Sequence, residues 1–346
     1  MYDPRVRTAE FDYELPEELI AQAARLRGTS RLLVLRRDTG ALSLDRVSSL
    51  PALLAPGDLL LLNDVKVIPA RLRARRPGGG EAELLLVRPL GGADWEVMAR
   101  PAKRLHEGFA LALAVGVAIP RERLADGTWR VEFVPPLDEA TLAAVGEVPL
   151  PPYIRREHGP SEADRERYQT VYANSGRAVA APTAGLHFTP ELLGALAERG
   201  VETARLTLHV GPGTFKPVQV EDPREHRLDP EDYEVAPGVA AALNRALGAG
   251  RRVVCVGTTS CRALEHALAT GGGRVRPGPA RADLFIWPGY RFRGTGALLT
   301  NFHLPRSTLL MLVSALAGRE RALAAYALAV RERFAFYSFG DAMLVA

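Results

Sequence analysis

LLLLNDVKVIPARLRARR, running from Leu59 to Arg76, is where the chain changes texture. Its four leucines follow Pro56-Gly57-Asp58 and read as a short strand buried on both faces, which Asn63 and Asp64 end. From Val65 to Gly146 the pattern is different. RLRARR, EAELLLVRPL, DWEVMARPA, FALALAVGVAIP and WRVEFVPP are short strand-like runs parted by Gly, Pro, Asp and Asn at hairpin spacing. Only Asp138 to Val145 suggests a helical turn in that region. The segment 65–146 therefore reads as a small antiparallel β-barrel.

Outside it the pattern alternates. An acidic helix start at Pro16-Glu17-Glu18-Leu19-Ile20 precedes a strand at Arg31 to Leu35. After the hinge Pro149-Leu150-Pro151-Pro152, Thr189 caps a helix with Pro190 at its first position. Strands are expected at Ala204 to Val210, Arg252 to Val256 and Leu284 to Trp287, and near Phe336 and Met343. Helices are expected after Gly257-Thr258-Thr259-Ser260, from Ser307 to Gly318, and from Arg319 to Phe334. Alternation of this kind implies an α/β mixed sheet. The expected organisation is a discontinuous α/β domain, 1–64 and 147–346, interrupted by the barrel at 65–146.

The chain has 346 residues, 47% hydrophobic and 24% charged, with net charge +4. That composition is ordinary for a globular protein, and the length suits two domains. Cys255 and Cys261 form no CxxC pair and no zinc spacing, so both are expected to be free thiols in a reducing cytoplasm. No signal-peptide pattern opens the chain, and the longest apolar run, Leu309 to Ala317, is too short to span a bilayer. Lysine occurs only at Lys66, Lys103 and Lys216. An arginine-dominated basic surface suits phosphate, although genome composition produces the same bias.

Familiar chemical motifs are missing. Gly211-Pro212-Gly213 lacks the third glycine of a dinucleotide fingerprint, and there is no phosphate loop, HExxH or GxSxG. No metal site is expected. Four loops remain, each combining Gly or Pro with neutral polar groups: Pro182 to Phe188, His209 to Phe215, Gly257 to Arg262 and Thr300 to Pro305. Three carry a histidine, the side chain that titrates near neutral pH. Each histidine alone also fits a satisfied core role. Arg71, Arg73 and Arg75 would share one strand face; that row fits a phosphate backbone or a solvated barrel face equally.

These loops, with FDYELPEELIAQ, PGDLLLLND, PLPPYI, ERYQTVYA and FYSFGDAMLV, resemble the S-adenosylmethionine:tRNA ribosyltransferase-isomerase family of queuosine biosynthesis, from Phe11 to Val345. The resemblance implies transfer and isomerisation of the ribosyl part of S-adenosylmethionine onto 7-aminomethyl-7-deazaguanine in a tRNA anticodon. The product would be epoxyqueuosine tRNA, with adenine and methionine released. S-adenosylmethionine would then be a consumed substrate, with no cofactor, and the family expectation is a monomer. Departures from the family pattern are Pro212 for Leu, Lys216 for Arg, and Asp229 for a second histidine after His226.

On this reading His187, His209 and His303 are the candidate catalytic residues. His187 comes first, because Gly185 would let ligand approach beside it. Thr183, Gly185, Phe188, Gly211, Gly213, Thr214, Thr258, Ser260, Arg262 and Asn301 are the candidate substrate contacts. Arg262 is expected on the first turn of its helix, to hold a carboxylate or phosphate. Arg71, Arg73, Arg75 and Arg104 are the candidate tRNA contacts. Two other classes compete: an S-adenosylmethionine-dependent RNA methyltransferase, which would yield S-adenosylhomocysteine, and a tRNA-binding or chaperone module, which would consume nothing.

Overall fold

The computed structural model describes residues 6–211 and 218–346. Leu59–Asn63 lies between two parallel neighbours, Glu202–Leu208 and Val253–Val256. Its side chains alternate between faces: Leu59 and Leu61 enter one apolar layer, Leu60 and Leu62 the other. Val253 and Cys255 divide from Val254 and Val256 in the same way. A strand covered on both faces reads as an unbroken apolar run, which is why LLLL shows no period of two. Each fully buried leucine contributes roughly 1.5–3 kcal/mol.

The mixed sheet has nine strands. In spatial order they are Gly278–Ala282, Glu231–Val235, Glu202–Leu208, Leu59–Asn63, Val253–Val256, Thr295–Asn301, Ala342–Val345, Arg31–Leu35 and Leu42–Arg46. The four strands from Glu202–Leu208 to Thr295–Asn301 run parallel. Their carboxyl ends therefore share one edge, the edge where such sheets bind ligands. All four polar loops named above start at that edge or pack against it.

The second sheet closes on itself. Arg71–Arg75, Glu81–Gly91, Asp94–Arg100, Trp129–Val134, Val117–Arg123 and Leu111–Ala112 form a six-stranded antiparallel ring, sealed by the pairing of Arg75 with Ala112. Leu72, Leu84, Trp95, Val97, Trp129 and Phe133 fill its interior. Gly146–Glu147 pairs with Arg71 and Leu72, on the same edge of that strand that Ala112 meets at Arg75, and Val65–Val67 pairs with Ser175–Ala178 rather than with the ring. The fold is thus α/β with an inserted antiparallel β-barrel.

Several local expectations give way to packing. Leu284 to Trp287 is not a strand; Gly278–Ala282 takes that edge of the sheet beside Glu231–Val235. Ile286 and Trp287 bury themselves from a loop instead. The acidic start yields only the turn Glu17–Leu19, because Ile20 goes on to bridge Phe336, and that bridge is all the strand character Phe336 has. Asp138 to Val145 is a true helix, Glu139–Val145, with the Asp138 side chain accepting the Thr141 N–H. The helix Gly257–Thr270 begins at Gly257 itself, which moves Arg262 from its first turn to its second.

Candidate functional site

The Thr183–His187 turn is followed by Phe188 and then by Thr189, whose hydroxyl accepts the Leu192 N–H and starts Pro190–Glu198. That cap fixes the turn against the carboxyl edge of the sheet. There a cavity of about 710 Å³, counting its open mouth, is lined by all four loops. Pro182, Thr183 and Ala184 come from the first, Val210 from the second, Gly257 to Thr259 from the third, and Thr300 to Leu304 from the fourth. Tyr153, Ser307, Tyr337 and Ser338 close it.

Among the described residues of this wall there is no carboxylate, lysine or arginine, and His303 is the one imidazole. It is 8% exposed, its Nε2 sits 2.8 Å from Thr300 Oγ1, and its backbone N–H donates to the Tyr326 hydroxyl. Burial pushes its pKa down to about 3, so the ring is neutral. Tyr153 and Tyr337 lie with ring centroids 4.7 Å apart, and burial raises both phenol pKa values.

Asn301 is oriented by its neighbour. Its Nδ2 donates to the Tyr337 carbonyl at 2.9 Å, and its side chain also acts on the buried His187 ring beside it. Thr259 Oγ1 is buried and unpaired. Buried polar atoms are normally satisfied, so a hydroxyl left open on a cavity wall marks where a ligand completes the structure. Tyr337 adds a second mark: its φ is 69°, a left-handed conformation that costs a bulky residue about 1–2 kcal/mol. Hydrogen bonds from Asn301 Nδ2 and Gly340 N–H to its carbonyl, and from its own N–H to Phe302, hold it there. Strain of this kind gathers where a site needs a fixed side chain.

The structure thus brings Thr183, Thr258, Asn301 and His303 together. His187 stands behind this wall. It is 4% exposed, with Nδ1 3.0 Å from Ser30 Oγ. Burial lowers its pKa to about 4, against the opposing influence of nearby Asn301. His209 is half-buried elsewhere, with Nδ1 2.9 Å from the Arg177 carbonyl and 3.2 Å from its N–H. Ser260 points into its helix and donates to the Val256 carbonyl. Phe188 is fully buried against Tyr172.

Gly185 has a packing reason for being glycine, in place of the ligand approach expected of it. A Cβ there would meet the Tyr172 hydroxyl at 2.2 Å and Thr170 at 2.9 Å. Gly185→Ala is expected to lose about 1–3 kcal/mol of stability from overpacking, read by urea denaturation. Adding Tyr172→Phe should recover part of that loss, and no recovery would count against the contact.

Gly211, Asp229 and Arg262 line a separate cleft between the barrel and the mixed sheet. Arg262 is ion-paired there at 2.5 Å with Glu231, both side chains 5% exposed. Gly213 and Thr214, with Pro212 and Lys216, lie outside the described residues. Arg71, Arg73 and Arg75 do share the outer face of their strand, with Leu72 and Ala74 inside. Arg71 is partly engaged by Glu83 and the Leu150 carbonyl, and Arg73 by Glu147, whereas Arg75 and Arg104 are exposed.

Sequence reasoning missed Thr259, Tyr153, Tyr337 and Ser338 on the wall. The signal available was the unusual block FYSFGD, which places an aromatic and a hydroxyl on a tight turn. Cys255 and Cys261 are free and buried. Among the described residues no group of three or more His, Cys, Asp or Glu is placed to hold a metal, and no helix is long and apolar enough to cross a membrane.

Comparison with known proteins adds to this geometry. The family model for queuosine biosynthesis proteins matches residues 8–345. A Trichlorobacter lovleyi protein named S-adenosylmethionine:tRNA ribosyltransferase-isomerase is 51% identical over 339 residues, covering 97% of this chain and 98% of its own. One of the same name from an Anaeromyxobacter species is 52% identical over 351 residues, covering 99% of each. A crystal structure of an S-adenosylmethionine tRNA ribosyltransferase from Thermotoga maritima matches with a TM-score of 0.54 at 37% identity, covering 97% of this chain and all of that one.

Proposed function

The chain belongs to the queuosine biosynthesis protein family, and on that premise we propose that it is an S-adenosylmethionine:tRNA ribosyltransferase-isomerase. It transfers the ribosyl portion of S-adenosylmethionine to 7-aminomethyl-7-deazaguanine in a tRNA anticodon. The transferred ribosyl is isomerised to an epoxycyclopentanediol, and adenine and methionine leave. S-adenosylmethionine is consumed as a substrate.

The observation that supports this reading is a wall whose described residues carry no formal charge, with the Asn301 side chain and the unpaired Thr259 Oγ1 on it. An adenine edge offers one N–H donor beside a ring-nitrogen acceptor. A carbonyl oxygen and a hydroxyl on one wall match that pair. The Tyr153 and Tyr337 rings suit the sulfonium, since a cation is attracted to an aromatic face. Thr183 and Thr258 supply neutral hydrogen bonds to the sugar.

The sulfonium acidifies the 5′ carbon, and a base must take a proton there. We assign that role to His303, the imidazole among the described residues of the wall. Its depressed pKa keeps it neutral, the form that can accept a proton. Its low basicity leaves the sulfonium to supply most of the acidity. The modified base reaches the cavity turned out of a flexed anticodon loop, with Arg75 and Arg104 the candidate phosphate contacts least engaged within the chain.

Incubation with S-adenosylmethionine and precursor-bearing tRNA tests the reading. Free adenine and methionine are the expected products. S-adenosylhomocysteine would make the chain a methyltransferase instead, and binding without consumption would make it a tRNA-binding module.

A further inference from the structure

Ser338 lines both the large cavity and a second, smaller one of about 270 Å³. The second is ringed by three guanidinium groups, Arg25, Arg27 and Arg167, together with Ser30, His187 and Gly340. Arg27 is anchored by backbone carbonyls: Nη1 donates to Leu186 at 3.0 Å, and Nη2 to Glu166 at 3.0 Å and Gln169 at 2.6 Å. Arg167 donates to the Arg25 carbonyl. These bonds fix the positions of the cations without neutralising them.

Two carboxylates face the three cations. Asp341 approaches Arg25 at 3.7 Å, but it is fully buried and already accepts the N–H groups of Arg31 and Ala335 at 2.8 Å each. Glu166 acts on Arg27 and Arg167. Burial and the like charge of Arg167 both depress the Arg27 pKa, as expected for cations crowded together. On the same wall His187 is buried between Ser30, 3.0 Å from its Nδ1, and Asn301, whose side chain acts on the ring.

We propose that this cavity is an oxyanion subsite, holding a carboxylate or phosphate group of the bound substrates on Arg25 and Arg167. Guanidinium forks match both oxyanions. The inference rests on the proposed reaction, which offers two sources: the carboxylate of the methionine portion and a phosphate of the anticodon loop. The shared wall at Ser338 puts either beside the reacting centre.

The probe is inorganic phosphate, titrated calorimetrically into the intact protein and into Arg25→Gln and Arg167→Gln. Arg25→Lys serves as the charge-keeping control, and thermal melts check that each variant is folded. Phosphate is expected to bind the wild type and to bind each Gln variant about 10- to 100-fold more weakly, the loss of one charge-assisted hydrogen bond. Arg25→Lys should retain part of the affinity. In turnover, a matching rise in KM for S-adenosylmethionine assigns the carboxylate, and a rise confined to tRNA assigns the phosphate. Unchanged phosphate affinity and unchanged KM for both substrates in folded Gln variants would overturn the subsite. The titration needs no turnover, so failure of the reaction assignment would show separately, as absent adenine release with phosphate binding intact.

Discussion

His303→Ala is expected to lower turnover by about 10²–10⁴-fold, the usual contribution of a positioned proton-transfer group, with a much smaller change in KM for S-adenosylmethionine. The argument is one of place. Among the described residues of the wall His303 is the single imidazole and none carries a formal charge, and Thr300 fixes its ring through Nε2. Because burial holds its pKa near 3, it does not titrate between pH 5 and 9. The kcat/KM profile should therefore show no limb from His303 near the ordinary histidine value of 6.5. His187→Ala provides the contrast. His187 lies in the smaller cavity behind the wall, so its loss should act through Asn301 and Ser30 and cost less. Turnover near wild type in His303→Ala, or a larger loss in His187→Ala, would return the base role to the Thr183–His187 turn.

Much of the fold could be read from the chain because its signals are local. The LLLL run, the hydroxyl cap at Thr189 and the Ser307 cap before Thr308–Ala317 each depend on neighbours within a few residues. The barrel was legible for the same reason: hairpin spacing is local information. The four loops could be picked out by composition, but their convergence is a property of strand order, which joins Val253–Val256 to both Leu59–Asn63 and Thr295–Asn301.

What stayed hidden depends on contacts far apart in sequence. Gly185 looked like an opening for ligand until Tyr172 was seen to fill it. His187 looked exposed to chemistry, yet its ring faces Ser30, 157 residues away. Tyr337 and Asn301 act as a pair across 36 residues. No periodicity or motif length reports such pairings. The same limit explains Leu284 to Trp287, where four apolar residues fit a strand or a buried loop equally, and competition for the sheet edge decided between them.

Glu231→Ala is expected to cost about 3–5 kcal/mol of stability, because it strands a buried guanidinium. Glu231 opens the strand Glu231–Val235, and Arg262 sits on the helix Gly257–Thr270, so the ion pair ties that strand to the helix that carries Gly257 to Thr259. Glu231 Oε1 also accepts the Gly211 N–H at 3.3 Å. Arg262 donates further to the Leu284 carbonyl at 3.1 Å, and this pinning helps hold Leu284 to Trp287 out of the sheet. Replacing both partners, Glu231→Leu with Arg262→Met, should restore most of the lost stability, since apolar isosteres of a buried pair are often neutral. The double variant also separates two roles for Arg262. If its task is to hold Glu231, turnover should return with stability. If it binds a substrate carboxylate or phosphate, denaturation midpoints should recover while KM for S-adenosylmethionine or tRNA stays raised. A single variant as stable as wild type would mean that the pair contributes nothing, and the link between strand and helix would have to come from backbone contacts alone.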